Sequence, residues 1–580
     1  MWEILREVTR TREIPDDKLP TNLDKEKANT FNQYFATVGK RALETLNINI
    51  EEFHPTKADG FAFSCETPLS IKNIIDELKT NVAVGHDNLP AKIYKGMSEA
   101  LCTSISRLVN LSFKTSVFPK TLKHAIVKPI FKNKGTPDDP QFYRPLSVLS
   151  ILSKIFEKAA KKQITQYFEE TGKLYQSQHA YRRHHSTTTS LAEVTDHLHW
   201  ELERKNIPAV VSTDLSKAFD TVSHPLLLSK LEQMGVSKQC SQWMKSYLSG
   251  RTQVTSFPDL TSEVCETESG VPQGSILGPI LFIAFTADLA EAVPDCKIVA
   301  YADDAVLLVS ANRLKTLGKK IESSLTQVQR WYTSNGLLIN PSKTEFMVMG
   351  KGNKLDIAVS ECNKSIKITS KEHMKVLGVV IDQRLSWENH VASIKTKTCN
   401  AIRCIARTSH VLPLKSRMLL TEALVKPHYN YCDVIYDGCS EKAKNNLQRN
   451  QNYAARALLG KKKYSSGSEA LKQLKWLPLE RRRKLHTGVF VHKAVNGKSS
   501  QHGIKMVEAL KPKHNYSTRA VRNNDLNSRV HTTKQLEKAI SYRSSKVWNC
   551  IPSMLKTLVD ANAMKNKWQG LLIDDFLTDC

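Results

Sequence analysis

Cysteine is scarce in this sequence: twelve residues in 580, scattered from Cys65 to Cys580. No two form a C-x-x-C pair. The closest, Cys399/Cys404 and Cys432/Cys439, have no histidine at finger or knuckle spacing. That excludes a disulfide-built scaffold and a structural zinc site, and it fits reduced thiols in an intracellular protein. Long hydrophobic runs are missing as well. The longest, Ile276 to Ala287, is broken by Gly278 and Pro279. At about a dozen residues it falls short of the ~20 that a bilayer span needs. The opening Met1-Trp-Glu-Ile-Leu-Arg-Glu7 has no apolar core, so no signal peptide is expected. No internal repeat or low-complexity tract is seen, which excludes collagen-like, mucin-like and wholly disordered chains.

What is there is a long and basic globular chain. Its length suggests three or four domains at roughly 150 residues each. Hydrophobic residues make up 41% and charged residues 24%, enough for a large core. Lys and Arg number 84 against 57 Asp and Glu, a formal charge of +27. Such an excess points to a polyanionic partner, and with no membrane segment in view that partner is nucleic acid. The charge is uneven. Residues 391–520 hold 26 Lys and Arg against 7 Asp and Glu.

The hydrophobic pattern places the elements coarsely. A helix is expected over Lys25 to Leu46, then over Leu69 to Leu78 and over Pro90 to Lys114. His124 to Lys132 reads as a strand, Asn133 to Tyr143 as a loop rich in Gly, Pro and Asp, and Ser147 to Phe168 as a helix. Strands at Ala209–Asp214, Gln253–Phe257, Cys296–Ala300 and Ala305–Ser310 follow, mixed with helices at Pro225–Met234, Gln239–Leu248, Gly278–Ala292 and Leu314–Gly336. Two more strands are expected at Phe346–Met349 and Val376–Ile381. After about residue 385 the strand signals fade into basic helices. This order predicts an α+β fold with an antiparallel sheet.

Three elements carry chemistry. In Tyr301-Ala-Asp303-Asp304, two adjacent carboxylates sit between two apolar strands, at the tip of a β-hairpin. Like charges so close are costly unless a cation holds them. In Val210-Val-Ser-Thr-Asp214, a β-branched strand ends in another carboxylate, which can face that tip. Asp214, Asp303 and Asp304 together suit two hard divalent cations: Mg²⁺, with Mn²⁺ as the alternative. Asp220 is a possible fourth ligand, although a cap on the next helix is the preferred reading. The third element is Ser269-Gly-Val-Pro-Gln273-Gly274, where glycines allow close backbone approach and Gln273 offers both donor and acceptor.

In order and spacing these elements resemble motifs A, B and C of the reverse transcriptases. Tyr143-Arg144-Pro-Leu-Ser147 and Lys154-Ile-Phe-Glu157 resemble their fingers motifs. Asn340-Pro-Ser-Lys343 resembles motif D, and Lys375-Val-Leu-Gly378 resembles the strand beyond it. The resemblance covers roughly residues 110–385 and is nearest to the non-LTR retrotransposon (LINE-type, Jockey-like) group. Lys27 to Phe35, Trp476 to Arg483 and Tyr542 to Trp548 extend it outward.

The resemblance implies a right-hand polymerase: a helical N-terminal extension (1–109), fingers and palm (110–385), a helical thumb-like basic region (386–470) and a basic C-terminal region (471–580). It implies an RNA-directed DNA polymerase that adds dNTPs to a DNA primer on an RNA template. The alternative is a decayed, nucleic-acid-binding remnant. Asp214, Asp303 and Asp304 match the metal triad. Phe219 matches the aromatic gate against a ribose 2′-OH. Gln273 and Gly274 match the nucleotide pocket, and Lys128 and Arg144 are the candidates for the triphosphate. Lys343 stands where a lysine protonates the departing pyrophosphate. Lys461, Lys462, Lys463, Arg481, Arg482, Arg483 and Lys484 are expected along the nucleic-acid backbone, with nuclear import as another use of such runs. The endonuclease that usually precedes the polymerase has no counterpart in the roughly 110 residues before the fingers. A truncated copy or a split gene is therefore expected.

Overall fold

The computed structural model describes residues 19–45, 60–340, 343–350, 352–361, 364–512, 519–528 and 533–578. Leu46, Pro341 and Ser342 lie outside them. The chain forms two compact units interleaved in sequence: residues 1–175, 215–292 and 328–340 in one, and 176–214, 293–327 and 341–580 in the other.

The first unit is built on a five-stranded sheet. Tyr143–Val148 pairs antiparallel with His124–Phe131, which pairs with Arg251–Phe257, flanked by the short strands Leu260–Thr261 and Cys265–Thr267. The central pair, His124–Phe131 with Arg251–Phe257, is parallel. An antiparallel sheet was expected, and this pair departs from it. A parallel pair needs a long crossover, and more than a hundred residues separate these two strands.

Alternation sorts the faces of this sheet. Val127, Tyr143 and Phe257 are buried, and with Ala28, Phe31 and Phe35 of the helix Lys25–Thr45 they form one apolar cluster. Asn32 of that helix is buried too. Its amide donates to the Glu263 carbonyl at 2.8 Å, and its side-chain oxygen accepts from Gln253 and Thr255. The N-terminal helix is thus a fixed part of the unit. The expected helix Pro90–Lys114 is two, Ala91–Gly96 and Ser98–Thr115. The expected Gly278–Ala292 is shorter, Gly278–Phe285.

The second unit carries an antiparallel sheet in the order Glu345–Val348, Ile207–Thr213, Asp304–Ala311, Lys297–Tyr301. Its strands are near-continuous runs of Val, Leu and Ala because both faces are covered. One large core runs from Leu191 and Val210 through Met347 and Trp387 to Trp548 and Phe576. The helix Thr187–Glu203 packs on this sheet. After the hairpin His373–Val376/Val379–Asp382, the described chain is helical, from Glu388–Arg407 to Ala561–Thr578. Among the described residues no helix is long and apolar enough to cross a membrane.

Candidate active site

The second unit brings the three acidic residues together. Thr213 pairs with Ala305 across the sheet, so Asp214 emerges one residue further on, beside Asp304. Tyr301 pairs with Asp304, and only Ala302 and Asp303 lie between them in the turn. Ala302 has φ 57°, the left-handed region that a tight turn uses. Partial burial, and then the charges of Asp303 and Asp214, push the Asp304 carboxyl up to about 6. Lys343 acts in the opposite direction. Its Nζ lies 2.5 Å from Asp214 Oδ2.

These are hard oxygen donors held against their mutual repulsion, a set suited to Mg²⁺ or Mn²⁺. Among the described residues no three metal-ligating side chains already converge on one point. Asp214 is instead engaged by the Lys343 ammonium.

A supporting layer lies behind the turn, and no motif announced it. Gln178 Oε1 accepts from the backbone N–H of Ala302 and of Ala180, both at 3.0 Å. The neighbouring backbone runs along the edge strand: Ala300 N–H donates to Ser177 O at 2.9 Å and His179 N–H to Ala300 O at 2.8 Å. His179 Nε2 lies 2.9 Å from Glu193 Oε2, and Lys297 Nζ lies 2.9 Å from Glu193 Oε1. Burial raises the Glu193 carboxyl, but these two partners outweigh it and hold the group well below its ordinary range. A buried carboxylate with two cationic or N–H partners is costly to disturb. The hairpin tip therefore rests on a stiff base.

The first unit holds the other expected residues. Phe219 is half-buried and stacks on Phe282, centroids 4.6 Å apart and 21° between planes. Gln273 Nε2 donates to Asp220 Oδ1 at 2.8 Å, and the Gln273 carbonyl accepts from Ser147 N–H at 2.7 Å. Gly274 has φ 116°, and a Cβ there would sit 2.4 Å from the Ser147 carbonyl oxygen. Only glycine fits, which explains the Gln-Gly pair.

The cap expected from Asp220 is not made. The helix His224–Gln233 begins at Ser223 without a side-chain cap, and the Asp220 carboxylate holds Gln273 instead. Burial pushes Asp220 up to about 6. Glu157 is fully buried and accepts from the backbone N–H of Ile276 at 2.7 Å and of Leu277 at 3.1 Å. It thus pairs two backbone N–H groups just before the helix Gly278–Phe285, where such donors otherwise lack partners.

Lys128 pairs with Leu146 and Ile130 with Arg144 in the antiparallel register. Directly opposed residues share a face, so Lys128 and Arg144 stand on one exposed face of the sheet, beside Ile130 and Leu146. Lys128 Nζ donates to Ser256 Oγ at 2.7 Å.

Lys217 was not foreseen. It has φ 54°, lies over the Tyr34 ring at 4.2 Å, and donates to the Tyr34 hydroxyl. Burial lowers its ammonium to about 8. Tyr34 belongs to the N-terminal helix. That helix touches the same loop at Gly39, where a Cβ would fall 1.8 Å from the Asp220 carbonyl oxygen.

The two basic runs differ sharply. Lys462 and Lys463 are exposed in the turn before the helix Gly467–Gln473, with Lys461 partly so. Arg481 to Lys484 lie in the helix Leu479–Val495, and most of their charge is already engaged. Arg483 is buried, with Nε 2.6 Å from Asp437 Oδ1. Arg481 pairs with Asp575 at 2.5 Å, and Arg482 donates to Asn430 Oδ1 at 3.3 Å. Lys484 is exposed and pairs with Glu480 at 2.9 Å.

Residues 131–381 match the family described as "Reverse transcriptase (RNA-dependent DNA polymerase)". The chain is 26% identical over 434 residues to "Probable RNA-directed DNA polymerase from transposon BS" of Drosophila melanogaster, covering 72% of this chain and 48% of that protein. It is 27% identical over 411 residues to "RNA-directed DNA polymerase from mobile element jockey" of the same species, covering 69% and 44%. It is 26% identical over 227 residues to "Retrovirus-related Pol polyprotein from type-1 retrotransposable element R2" of Popillia japonica, covering 36% and 30%. The chain thus spans about half the length, or less, of these relatives.

Proposed function

We propose that this chain, whose residues 131–381 belong to the reverse transcriptase family and adopt its palm-and-fingers fold, is an RNA-directed DNA polymerase of a non-LTR retrotransposon. It adds nucleotides from dNTPs to the 3′-hydroxyl of a DNA primer along an RNA template. The helices after residue 386 serve as its thumb. The observation that carries this reading is the strand register that sets Asp214 beside Asp304 and Asp303, two of them on one hairpin tip.

Asp214, Asp303 and Asp304 would hold two Mg²⁺ ions. When bound, such a pair lowers the pKa of the attacking hydroxyl and neutralises charge on the leaving pyrophosphate. The chain's own residues do the rest. Gln178, Glu193 and Lys297 keep the hairpin from yielding. Lys343, which neutralises Asp214 in the absence of other cations, is released toward the pyrophosphate and supplies its proton. Phe219, braced by Phe282, narrows the space beside the sugar. Gln273, oriented by Asp220, lines the pocket for the incoming base and sugar. Lys128 and Arg144 share a face suited to the triphosphate. Alignment for in-line attack is the larger part of the catalysis.

The test is Mg²⁺-dependent extension of oligo(dT) on poly(A). Asp303→Asn and Asp214→Asn should each lower the rate more than tenfold, a barrier increase above about 1.4 kcal/mol, with binding of the template–primer retained. A variant that keeps a tenth of the wild-type rate or more overturns the assignment of the triad. A wild-type chain that binds but never extends favours the decayed remnant.

A further inference from the structure

A cavity of about 310 Å³ lies in the second unit, apart from the acidic residues and lined by none of the motif residues. The helix Leu479–Val495 supplies one wall through His486, Val489, Phe490 and Lys493. These positions are spaced i, i+3, i+4, i+7 and so share a face. Lys498 and Lys565 add two more ammonium groups, and Ser186, Thr188 and Asn430 add polar groups. Asp433 is the one carboxylate in the lining, and it is buried with Oδ2 2.6 Å from His486 Nδ1. Lys498 donates to the Val559 carbonyl at 3.4 Å and lies near Asp560. Lys493 and Lys565 have no ion pair among the described residues. Arg482 holds Asn430 by its side-chain oxygen, which leaves the Asn430 amide nitrogen as a donor. The cavity is thus cationic, rich in donors and larger than a few waters require.

Two chain segments connect it with the catalytic hairpin. Tyr181 is exposed and within electrostatic reach of Asp303 and Tyr301, and three residues on, His184 lines the cavity. Tyr431 is exposed and within electrostatic reach of Tyr301. Its hydroxyl donates to the Leu377 carbonyl at 2.6 Å, at the turn of the hairpin His373–Val376/Val379–Asp382. Asn430 and Asp433, on either side, line the cavity. Thr187 and Thr188 each place a hydroxyl 3.6 Å from Cys432 Sγ, which joins the two segments. Two tyrosines near the acidic turn thus sit on chain segments whose neighbouring residues line the cavity.

We propose that this cavity is a phosphate-binding site for the backbone of the nucleic-acid strand held at the active site. The inference rests on the polymerase reading for the identity of the strand. The chemistry is that of a phosphodiester: a singly charged group with several acceptor oxygens, taken up by ammonium groups and neutral donors. A free nucleotide offers the same acceptor oxygens at higher charge and is the other source of such a group.

The experiment measures binding of a fluorescent primer–template against salt for wild type, Lys493→Gln, Lys565→Gln and the double variant. Binding needs no turnover, so it is read in wild type and again in an Asp303→Asn background. Each single variant should reduce the slope of log K against log salt by about 0.7–0.9, and Lys493→Arg should restore it. The KM for dNTP should not move. A raised KM with an unchanged slope assigns the cavity to a free nucleotide and overturns the proposal. No change in either quantity overturns it as well. If no variant or wild type extends primers while the slopes fall as expected, the polymerase reading fails and the phosphate site stands.

Discussion

Two side chains of the first unit make opposite kinds of prediction. Phe219 is fixed on one ring face by Phe282 and is only half-buried, which suits a gate better than a core residue. In the proposed gate role, Phe219→Val would remove bulk beside C2′, so rNTP incorporation relative to dNTP should rise at least tenfold in competitive extension. An unchanged ratio, in a variant that still extends with dNTPs, would place the ring in packing alone. Asp220 concerns stability. Its folded-state pKa is raised to about 6 by burial, against about 3.9 in an unfolded chain. Below about pH 4 both states hold the proton and the group costs nothing. Between about pH 4 and 6 the unfolded chain releases it while the folded chain keeps it, so stability falls as pH rises. Above about 6 the penalty is constant, on the order of 1–2 kcal/mol for a side chain only partly shielded. Asp220→Asn keeps an acceptor for Gln273 without the charge. It should raise Tm at pH 7.5 and leave it unchanged near pH 4. A Tm gain of equal size at both pH values would point to packing instead of charge.

At the level of single elements, helix Leu479–Val495 and the turn around Lys461 to Lys463 look alike in sequence and differ in use. Arg483→Gln leaves Asp437 with one of its two guanidinium partners, the other being Arg543 at 2.9 Å. Loss of one arm of such a buried pair should destabilise the fold by about 3 kcal/mol in chemical denaturation, with the salt slope of nucleic-acid binding unchanged. Replacing Lys461, Lys462 and Lys463 by Gln should do the reverse: a shallower salt slope and an unaltered melt. Equal effects on the two assays would contradict this division. The same contrast tells what a sequence can carry. The strand leading to Asp214, the acidic turn at Asp303 and the Gln-Gly pair were legible because local periodicity and turn chemistry specify them. The helix Thr187–Glu203 was not, because the residues it buries include Thr189, Ser190, Glu193, Thr195, Asp196 and His199. Leu191, Val194 and Leu198 do give this helix an apolar stripe, but the buried polar residues between and beside them dilute the pattern. Its partners, such as Lys297 and His502, lie about one hundred to three hundred residues away, where spacing says nothing. Nor could a charge run reveal that Arg483 points at Asp437.

For the molecule as a whole, the family match ends at residue 381, but the core of the second unit does not. That core joins Leu191, Val194 and Leu198 of the helix Thr187–Glu203 and Val376, Val379 and Ile381 of the hairpin to residues as distant as Trp548, Trp568 and Phe576. Polar contacts follow the same path. Asp196 Oδ2 lies 3.2 Å from His502 Nε2, and its Oδ1 accepts from the Ser541 N–H at 3.2 Å. Burial raises the Asp196 carboxyl, yet these partners outweigh burial and hold it below its ordinary range. Removing residues 386–580 would expose the apolar side of the sheet that carries Asp304 and leave Asp196 a buried carboxylate stripped of both partners. Either loss costs several kcal/mol, on the order of the whole stability of a domain. A chain ending at Leu385 should therefore aggregate, or bind a hydrophobic dye strongly, and should lack the cooperative melt of the second unit. Single substitutions test the link without a cut. Asp196→Ala should lower the melting temperature of the full chain by several degrees and, by loosening the base of the hairpin, reduce extension while template binding persists. A monomeric, cooperatively melting fragment that still extends primers would mean that the C-terminal helices only decorate the polymerase.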